Sequence, residues 1–200
     1  SLFTPLLLPR RVPFLATSDY LPGTRLRGAL SRWFFAGTGQ YPIDRTNADA
    51  AQAALNAGLE VLSTGEILCI YPEGTRSPDG RLYRGKTGAA RLALRADVPI
   101  IPVGVKGTAE YTRRAAKFRL WRRPEVKVMI GEPLDLAPWA GRAGDRTAER
   151  EITDEFMRRI QTLTGQEYVH EIYGADMKER FAAARESGRN LLDQPVEGQR

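Results

Sequence analysis

Apolar positions along the chain predict helices that alternate with strands. The first clear helix begins after Asn47, its N-cap, and ends before Gly65. One stripe of this helix carries Ala51, Leu55, Leu59 and Leu62. Ile67 to Tyr71 is a continuous apolar run of strand length, which predicts a strand buried on both faces.

The same alternation continues through the rest of the chain. Residues 98–105 predict a second buried strand, interrupted by Pro99 and Pro102, and the alternating residues 126–130 predict a half-exposed strand. Residues 87–96 predict a helix, and a later amphipathic helix carries Ile152, Phe156, Ile160 and Leu163. A short strand is expected at 12–16, and the polar end after residue 185 is expected to fray.

These elements together predict an α/β fold: a single domain with a largely parallel central sheet flanked by helices. Ligands of such sheets bind at loops beyond the carboxyl ends of the strands. The polar loop PEGTRS follows the run 67–71 directly, so it is the first candidate for a binding site.

Composition narrows the chemistry. With one cysteine and one histidine among 200 residues, the chain offers no intramolecular disulfide and no multi-cysteine or histidine-based metal site, so no metal is expected. The net charge of +6 is clustered, most densely at 106–123. Such a patch suits anionic lipid, phosphorylated substrates or nucleic acid, or is a solvated face. No nucleic-acid recognition motif accompanies it, so no nucleic-acid partner is expected.

The aromatic and basic segment 26–36 predicts a short amphipathic helix. This composition suits a membrane interface and equally suits packing of the aromatic face into a core. No run approaches the ~20 apolar residues that a membrane span requires.

Residues 80–87, GRLYRGKT, match the pattern of a nucleotide-binding P-loop. A P-loop needs a strand that runs straight into its first glycine, whereas Ser77 to Gly80 has the chemistry of a turn. Bulky Leu82, Tyr83 and Arg84 also occupy the part that would wrap a phosphate. We therefore disfavour the nucleotide interpretation and keep a P-loop nucleotide hydrolase only as an alternative, although Lys86 and Thr87 at a helix start still favour an anion.

Four ordered blocks resemble one family. They are TGQYPIDR at 38–45, YPEGTRS at 71–77, YRGKTGAARLA at 83–93 and VPIIPV at 98–103. In order and rough spacing they are similar to the blocks of the 1-acyl-glycerol-3-phosphate (lysophosphatidic acid) acyltransferases. The resemblance implies a glycerolipid acyltransferase-like domain over 1–165 whose N-terminal part is missing, followed at 166–200 by a helical extension and a polar tail.

The resemblance implies an O-acyltransferase of phospholipid biosynthesis. Such an enzyme moves an acyl group from acyl-CoA or acyl carrier protein to the free hydroxyl of lysophosphatidate, giving phosphatidate, without a cofactor. The acyl tails imply peripheral docking on a membrane surface, at the cytoplasmic face of the cell membrane. Another lysophospholipid or glycerol-3-phosphate as acceptor, and a non-catalytic lipid- or phosphate-binding relative, remain alternatives.

A phosphate monoester needs several converging cations, preferably arginines that form bidentate hydrogen bonds. Arg45 and Arg76 follow predicted strands, and Lys86 lies a short turn further on. Glu73 can orient a guanidinium or bind a substrate hydroxyl, or merely pair with Arg76 across a turn. The predicted substrate-binding residues are Arg45, Glu73, Gly74, Thr75, Arg76 and Lys86.

The resembling family uses a His-x-x-x-x-Asp pair, in which histidine takes the proton of the attacking hydroxyl and aspartate orients the imidazole. No such pair occurs in residues 1–200, and the position five after His170 is Ala175. We interpret His170 as a surface or packing residue. The expected histidine and aspartate would precede Ser1, so no catalytic residue is assigned within this chain; otherwise the protein is a relative that lacks the base.

Overall fold

The structure, a computed structural model, describes residues 14–17, 40–43, 48–108 and 125–187. Its helices are α1 (Ala48–Ser63), α2 (Gly88–Ala96), α3 (Arg146–Thr164) and α4 (Ala175–Glu186). Its strands are β1 (Phe14–Thr17), β2 (Gln40–Ile43), β3 (Leu82–Tyr83), β4 (Val103–Lys106), β5 (Lys127–Ile130) and β6 (Tyr168–Val169). The segment 26–36, the N-cap Asn47 and most of the basic patch at 106–123 lie outside the described residues.

Strand pairing follows the α/β expectation. β1 pairs with β2 and β3 pairs with β6, both in parallel, whereas β4 and β5 are antiparallel. Parallel partners require a crossover between them, and the connection from β3 to β6 contains α2 and α3. The α/β class is therefore confirmed.

The chain divides into two compact units, each assembled from segments distant in sequence. The first unit contains residues 1–71, 88–99 and 136–149, and the second contains 72–87, 100–135 and 150–200. The domain boundary near residue 165 stays a prediction.

In the first unit, α1 and α2 pack closely at Gly58. A Cβ placed there would lie 3.0 Å from a Leu92 methyl and 3.2 Å from a Leu68 methyl, so the close approach needs glycine. Leu55 and Val61 of α1 are buried, as are Ala90, Leu92 and Ala93 of α2. Gly65 has φ +76° and follows Thr64 just beyond α1, which confirms that the helix ends before this glycine.

The expected strand over 67–71 is wrong for most of its length. Within this run only Cys69 takes part in a β-bridge, and Ile67 and Tyr71 are 39% and 47% exposed. A short apolar run does not by itself fix strand pairing, because that depends on a partner elsewhere in the chain. Burial raises the pKa of the Cys69 thiol to about 11, so this thiol is unreactive near neutral pH.

The second expected strand, over 98–105, is confirmed only in its second half. Strand β4 begins at Val103, and before it Ile100 makes an isolated antiparallel bridge to Leu134. Proline has no amide N–H to give to a strand partner, so Pro99 and Pro102 delay regular pairing. Ile101, between them, is 50% exposed rather than buried.

In the second unit, the part of α3 from residue 150 onward packs against two glycines. A Cβ at Gly85 would lie 2.9 Å from Met157 Sδ, and a Cβ at Gly104 would lie 2.6 Å from Thr164 Cγ2. Both glycines therefore let the backbone approach the helix closely. The side chains of Ile152, Phe156, Met157 and Ile160 are buried, which confirms the predicted apolar stripe.

A second core cluster of this unit surrounds β3 and β6. Tyr83, Val169 and Tyr173 are buried together, and Met177 and Phe181 of α4 pack against them. Helix α4 thus packs on the pair of strands β3 and β6, of which β3 follows the PEGTRS segment.

Candidate functional site

The segment 72–87, called here the 72–87 loop, closes on itself. The Lys86 amide N–H donates to the Pro72 carbonyl at 2.8 Å, and the Tyr83 amide N–H donates to Glu73 Oε2 at 3.0 Å. These two hydrogen bonds join the end of the loop to its beginning. They place the start of the PEGTRS segment beside β3 and the residues that precede α2.

Lys86 lies over the backbone of Gly74. A Cβ added to Gly74 would be 3.3 Å from Lys86 Nζ and 3.4 Å from Lys86 Cδ and Cε. Gly74 also has φ +71°, a backbone conformation that L-residues rarely adopt. Two features therefore favour glycine at position 74: its positive φ and the closeness of the Lys86 side chain.

The predicted site residues are partly brought together. Glu73, Gly74 and Lys86 meet within the 72–87 loop, where Thr75 is half-buried and Arg76 is exposed. Arg45 lies outside the described residues, so its convergence on this loop stays a prediction.

Glu73 has an unusual carboxyl group. Burial raises its pKa to about 7, the nearby charge of Asp79 adds to the rise, and the hydrogen bond from the Tyr83 amide opposes it. Among the ion pairs of the described residues, Glu73 is not joined to Arg76. Its carboxylate instead holds β3 in place, so the proposed Glu73–Arg76 pair across a turn is not formed.

Asp79 is the hydrogen-bonding centre of the turn. It accepts from the Arg81 amide at 2.9 Å, from Arg81 Nε at 2.8 Å, from the Tyr83 hydroxyl at 2.8 Å and from the Ser77 hydroxyl at 3.1 Å. Burial opposes ionisation of Asp79, but these hydrogen bonds outweigh it and lower its pKa. Sequence reasoning identified the turn from Ser77 to Gly80, and Gly80 indeed has φ +89°.

The structure also rejects the P-loop match. A phosphate cradle requires free, converging amide N–H groups. Six amides of GRLYRGKT donate to protein acceptors instead. The amides of Gly80, Arg81 and Tyr83 donate to Ser77 Oγ, Asp79 Oδ1 and Glu73 Oε2, in that order. Those of Leu82, Arg84 and Lys86 donate to the carbonyls of Glu167, Glu171 and Pro72, in that order.

His170 has no aspartate five residues on and is exposed, in agreement with a surface residue. Its ring lies edge-on to that of Tyr168, with centroids 5.0 Å apart. Across the part of the chain that the structure describes, no three His, Cys, Asp or Glu side chains are arranged to hold a metal ion.

The 72–87 loop of this α/β fold thus combines glycines of positive φ with the exposed cations Arg76 and Lys86. The family model described as Acyltransferase matches residues 3–106, and the chain belongs to this family.

Several curated proteins are similar to this chain. The 1-acyl-sn-glycerol-3-phosphate acyltransferase of Saccharomyces cerevisiae is 37% identical over 105 residues, which cover 51% of this chain and 34% of that protein. Its counterpart from Limnanthes alba is 36% identical over 98 residues, covering 48% and 34%. The Bacillus subtilis counterpart is 27% identical over 135 residues, covering 67% and 60%. The matched region thus spans about a third of the first two relatives.

Solved structures also resemble the chain, among them the 1-acyl-sn-glycerophosphate acyltransferase PlsC from Thermotoga maritima. The TM-score is 0.47 at 23% identity, and the match covers 76% of this chain and 57% of that chain.

Proposed function

We propose that the protein transfers an acyl group from a thioester donor to the free hydroxyl of lysophosphatidate, giving phosphatidate. Membership of the acyltransferase family supports the reaction class. The observation that carries the choice of acceptor is the placement of the Lys86 ammonium group over Gly74, in the loop that also exposes Arg76.

In this proposal the phosphate of the acceptor binds to Arg76, Lys86 and Arg45. Arginine supplies bidentate hydrogen bonds to phosphate oxygens, and lysine supplies a compact charge. Because Gly74 has no side chain, the acceptor can approach the backbone beside the Lys86 ammonium. Thr75, next in the chain, adds a hydroxyl that can donate to the same phosphate.

Glu73 acts on the acceptor through its second oxygen. Glu73 Oε2 is already used by the Tyr83 amide, and a carboxylate has enough lone pairs to accept a further hydrogen bond from a substrate hydroxyl. Its pKa of about 7 makes this interaction sensitive to pH near neutrality. Perturbed carboxyl groups of this kind cluster at functional sites.

The reaction forms an ester bond and breaks the thioester bond. The acceptor hydroxyl attacks the thioester carbonyl, its proton passes to a general base, and the donor thiol leaves. We assign the base to a His-x-x-x-x-Asp pair of the kind that the resembling family uses, which residues 1–200 do not contain. General-base catalysis contributes about 10²–10⁴ in rate, so a form without that pair is expected to bind lysophosphatidate but to turn over slowly.

We further propose that the protein docks peripherally on the cytoplasmic face of the cell membrane, because its acceptor resides in a bilayer. None of the helices among the described residues has the length and apolarity for a membrane span. Acyl-CoA and acyl carrier protein are both candidate donors.

The test is an assay of the full-length protein with acyl-CoA, following release of the thiol. Thiol release should require lysophosphatidate, and Arg76→Ala should lower the rate by about 10²-fold, as expected for the loss of a bidentate contact to phosphate. The matched control is Arg95→Ala, which removes an exposed arginine at the end of α2. Equal rates for wild type and Arg76→Ala would refute the phosphate contact.

Parallel reactions separate the alternatives. Replacing lysophosphatidate with glycerol-3-phosphate or another lysophospholipid identifies the acceptor, and replacing acyl-CoA with acyl carrier protein identifies the donor. Binding of lysophosphatidate without any thiol release would favour a non-catalytic lipid-binding relative.

A further inference from the structure

A cavity of about 570 Å³ in the second unit has no assigned ligand. It lies where the outer face of α3 meets β6 and the end of β3. Its walls are formed by Arg84, Asp154, Arg158, Gln161, Tyr168 and His170. None of these residues belongs to the proposed lysophosphatidate site, and the volume falls within the range of about 300–1,000 Å³ found for small-molecule sites.

One cluster of ion pairs beside this cavity contains more cations than anions. In this cluster, two carboxylates of α3 form ion pairs with four arginines. Asp154 pairs with Arg150 at 2.7 Å and with Arg84 at 3.8 Å. Glu155 pairs with Arg158 and Arg159. The cluster therefore carries two positive charges more than negative ones. Two of its arginines, Arg84 and Arg158, line the cavity.

The two lining arginines are also the ones most able to change partner. Asp154 is already held closely by Arg150, whose other nitrogen donates to the Gly85 carbonyl at 2.8 Å, so the longer contact to Arg84 is secondary. The Arg158 side chain is 66% exposed. Exposed ion pairs contribute little, so an incoming dianion can compete for both guanidinium groups.

The remaining wall supplies neutral donors and an aromatic face. The Tyr168 hydroxyl, the Gln161 amide and the His170 imidazole can each donate a hydrogen bond. Tyr168 and His170 are held edge to face at 5.0 Å, so their orientations are mutually supported. Guanidinium groups around an anion, flanked by hydroxyl and amide donors, are the chemistry that recognises phosphate.

We propose that this cavity binds a phosphate group. Such a phosphate has two sources: a nucleotide-bearing molecule such as CoA, whose ring can lie against Tyr168, or a free phosphate. The inference does not require the acyltransferase activity, because it rests on the walls of this cavity alone.

The experiment is calorimetric titration of the full-length protein with CoA, inorganic phosphate and adenosine as separate probes. CoA should bind, inorganic phosphate should compete with it, and adenosine should bind much more weakly. Arg84→Gln and Arg158→Gln should each weaken CoA binding by about tenfold, because each removes a charged hydrogen-bond donor. His170→Ala is a third variant with a smaller expected loss.

Arg159→Gln is the matched control. Arg159 lies next to Arg158 on α3 and shares its partner Glu155, but it does not line the cavity. Its removal should change affinity by less than about twofold, since it alters only the net charge. Inorganic phosphate that binds as tightly as CoA, with the same dependence on Arg84 and Arg158, also supports the site and identifies a free phosphate as its ligand.

Three outcomes would overturn the proposal: no binding of either phosphate probe, equal losses in the Arg158 and Arg159 variants, or adenosine binding as tightly as CoA. CoA binding that is indifferent to Arg84 and Arg158 would also overturn it, because the CoA would then occupy another site. Turnover with lysophosphatidate, measured separately, tests the proposed function whatever these titrations give.

Discussion

The Glu73 carboxylate accepts a hydrogen bond at 3.0 Å from the amide of Tyr83, ten residues further along the chain. This contact joins the start of the PEGTRS segment to β3, and Tyr83 in turn donates its hydroxyl to Asp79. One side chain therefore connects the proposed acceptor site to the buried core around Tyr83.

The first prediction concerns pH. The pKa of Glu73 is raised from 4.5 to about 7 in the folded protein, so the folded state keeps a proton that the unfolded chain releases. Stability contributed by this group is present below pH 4.5 and is lost as pH rises to about 7. The free energy of unfolding of the wild type should therefore fall by about 2 kcal/mol between pH 5 and pH 8. Glu73→Gln keeps an acceptor for the Tyr83 amide but does not titrate, so it should not show this fall.

Urea denaturation at the two pH values measures this difference. Glu132→Gln, at an exposed glutamate of the same unit, should leave the pH dependence of unfolding as in wild type. A Glu73→Gln variant with the pH dependence of wild type would contradict the assignment.

The second prediction concerns two glycines of the 72–87 loop. It distinguishes the effect of backbone strain at a positive φ from the effect of contact with the Lys86 side chain. Gly74 and Gly80 have φ +71° and +89°, but only a Cβ at Gly74 would meet Lys86. Alanine at either position should cost about 1 kcal/mol in stability. Only Gly74→Ala should also raise the KM for lysophosphatidate, by about tenfold, because it displaces the Lys86 ammonium.

Thermal denaturation and steady-state kinetics on both variants test this distinction. A rise in KM of equal size for Gly80→Ala would show that general loosening of the loop, rather than the position of Lys86, governs acceptor binding.

The third prediction concerns the packing of α3. A Cβ at Gly104 would lie 2.6 Å from Thr164 Cγ2, so Gly104→Ala should destabilise the protein by about 1–3 kcal/mol through overpacking. Thr164→Ser removes that methyl group but keeps the hydroxyl that donates to the Ile160 carbonyl at 2.9 Å. The double variant should recover most of the loss.

The free energies of unfolding of the two single variants and the double variant form a double-mutant cycle. Simple additivity of the two changes would rule out the clash as the cause of the instability.

The fourth prediction concerns the turn centred on Asp79. Its hydrogen bonds lower the pKa of Asp79, so the stability it contributes is present above its ordinary value of 3.8 and is lost as pH falls through the folded-state pKa. Asp79→Asn should cost about 2 kcal/mol at pH 7, and Tyr83→Phe, which removes one donor to Asp79, about 1 kcal/mol.

Chemical denaturation at pH 7 provides both values. The Tyr83→Phe change should cost less in the Asp79→Asn background than in wild type, because the hydroxyl has by then lost its charged acceptor. Equal costs in the two backgrounds would mean that the Tyr83–Asp79 hydrogen bond contributes nothing to stability.

Local patterns in the sequence were enough to identify α1, α2 and α3 and the class of fold. The apolar stripe through Ile152 and Phe156 predicted α3, and Gly65 marked the end of α1, because helix periodicity and capping depend on neighbouring residues alone. The ordered blocks from TGQYPIDR to VPIIPV likewise indicated the acyltransferase family, which the match over residues 3–106 confirms.

Tertiary structure alone decided the pairings between distant segments. β3 and β6 lie 86 positions apart in register, so their pairing leaves no local pattern. The contact of Arg150 with the Gly85 carbonyl and the grouping of Arg84 with Arg158 and His170 have the same origin. GRLYRGKT matched a nucleotide motif by its letters, yet its amides donate to Glu73, to Pro72 and to the residues that flank β6, which excludes that function. Residue types and spacing are properties of a segment, whereas the partners of its polar groups are properties of the fold.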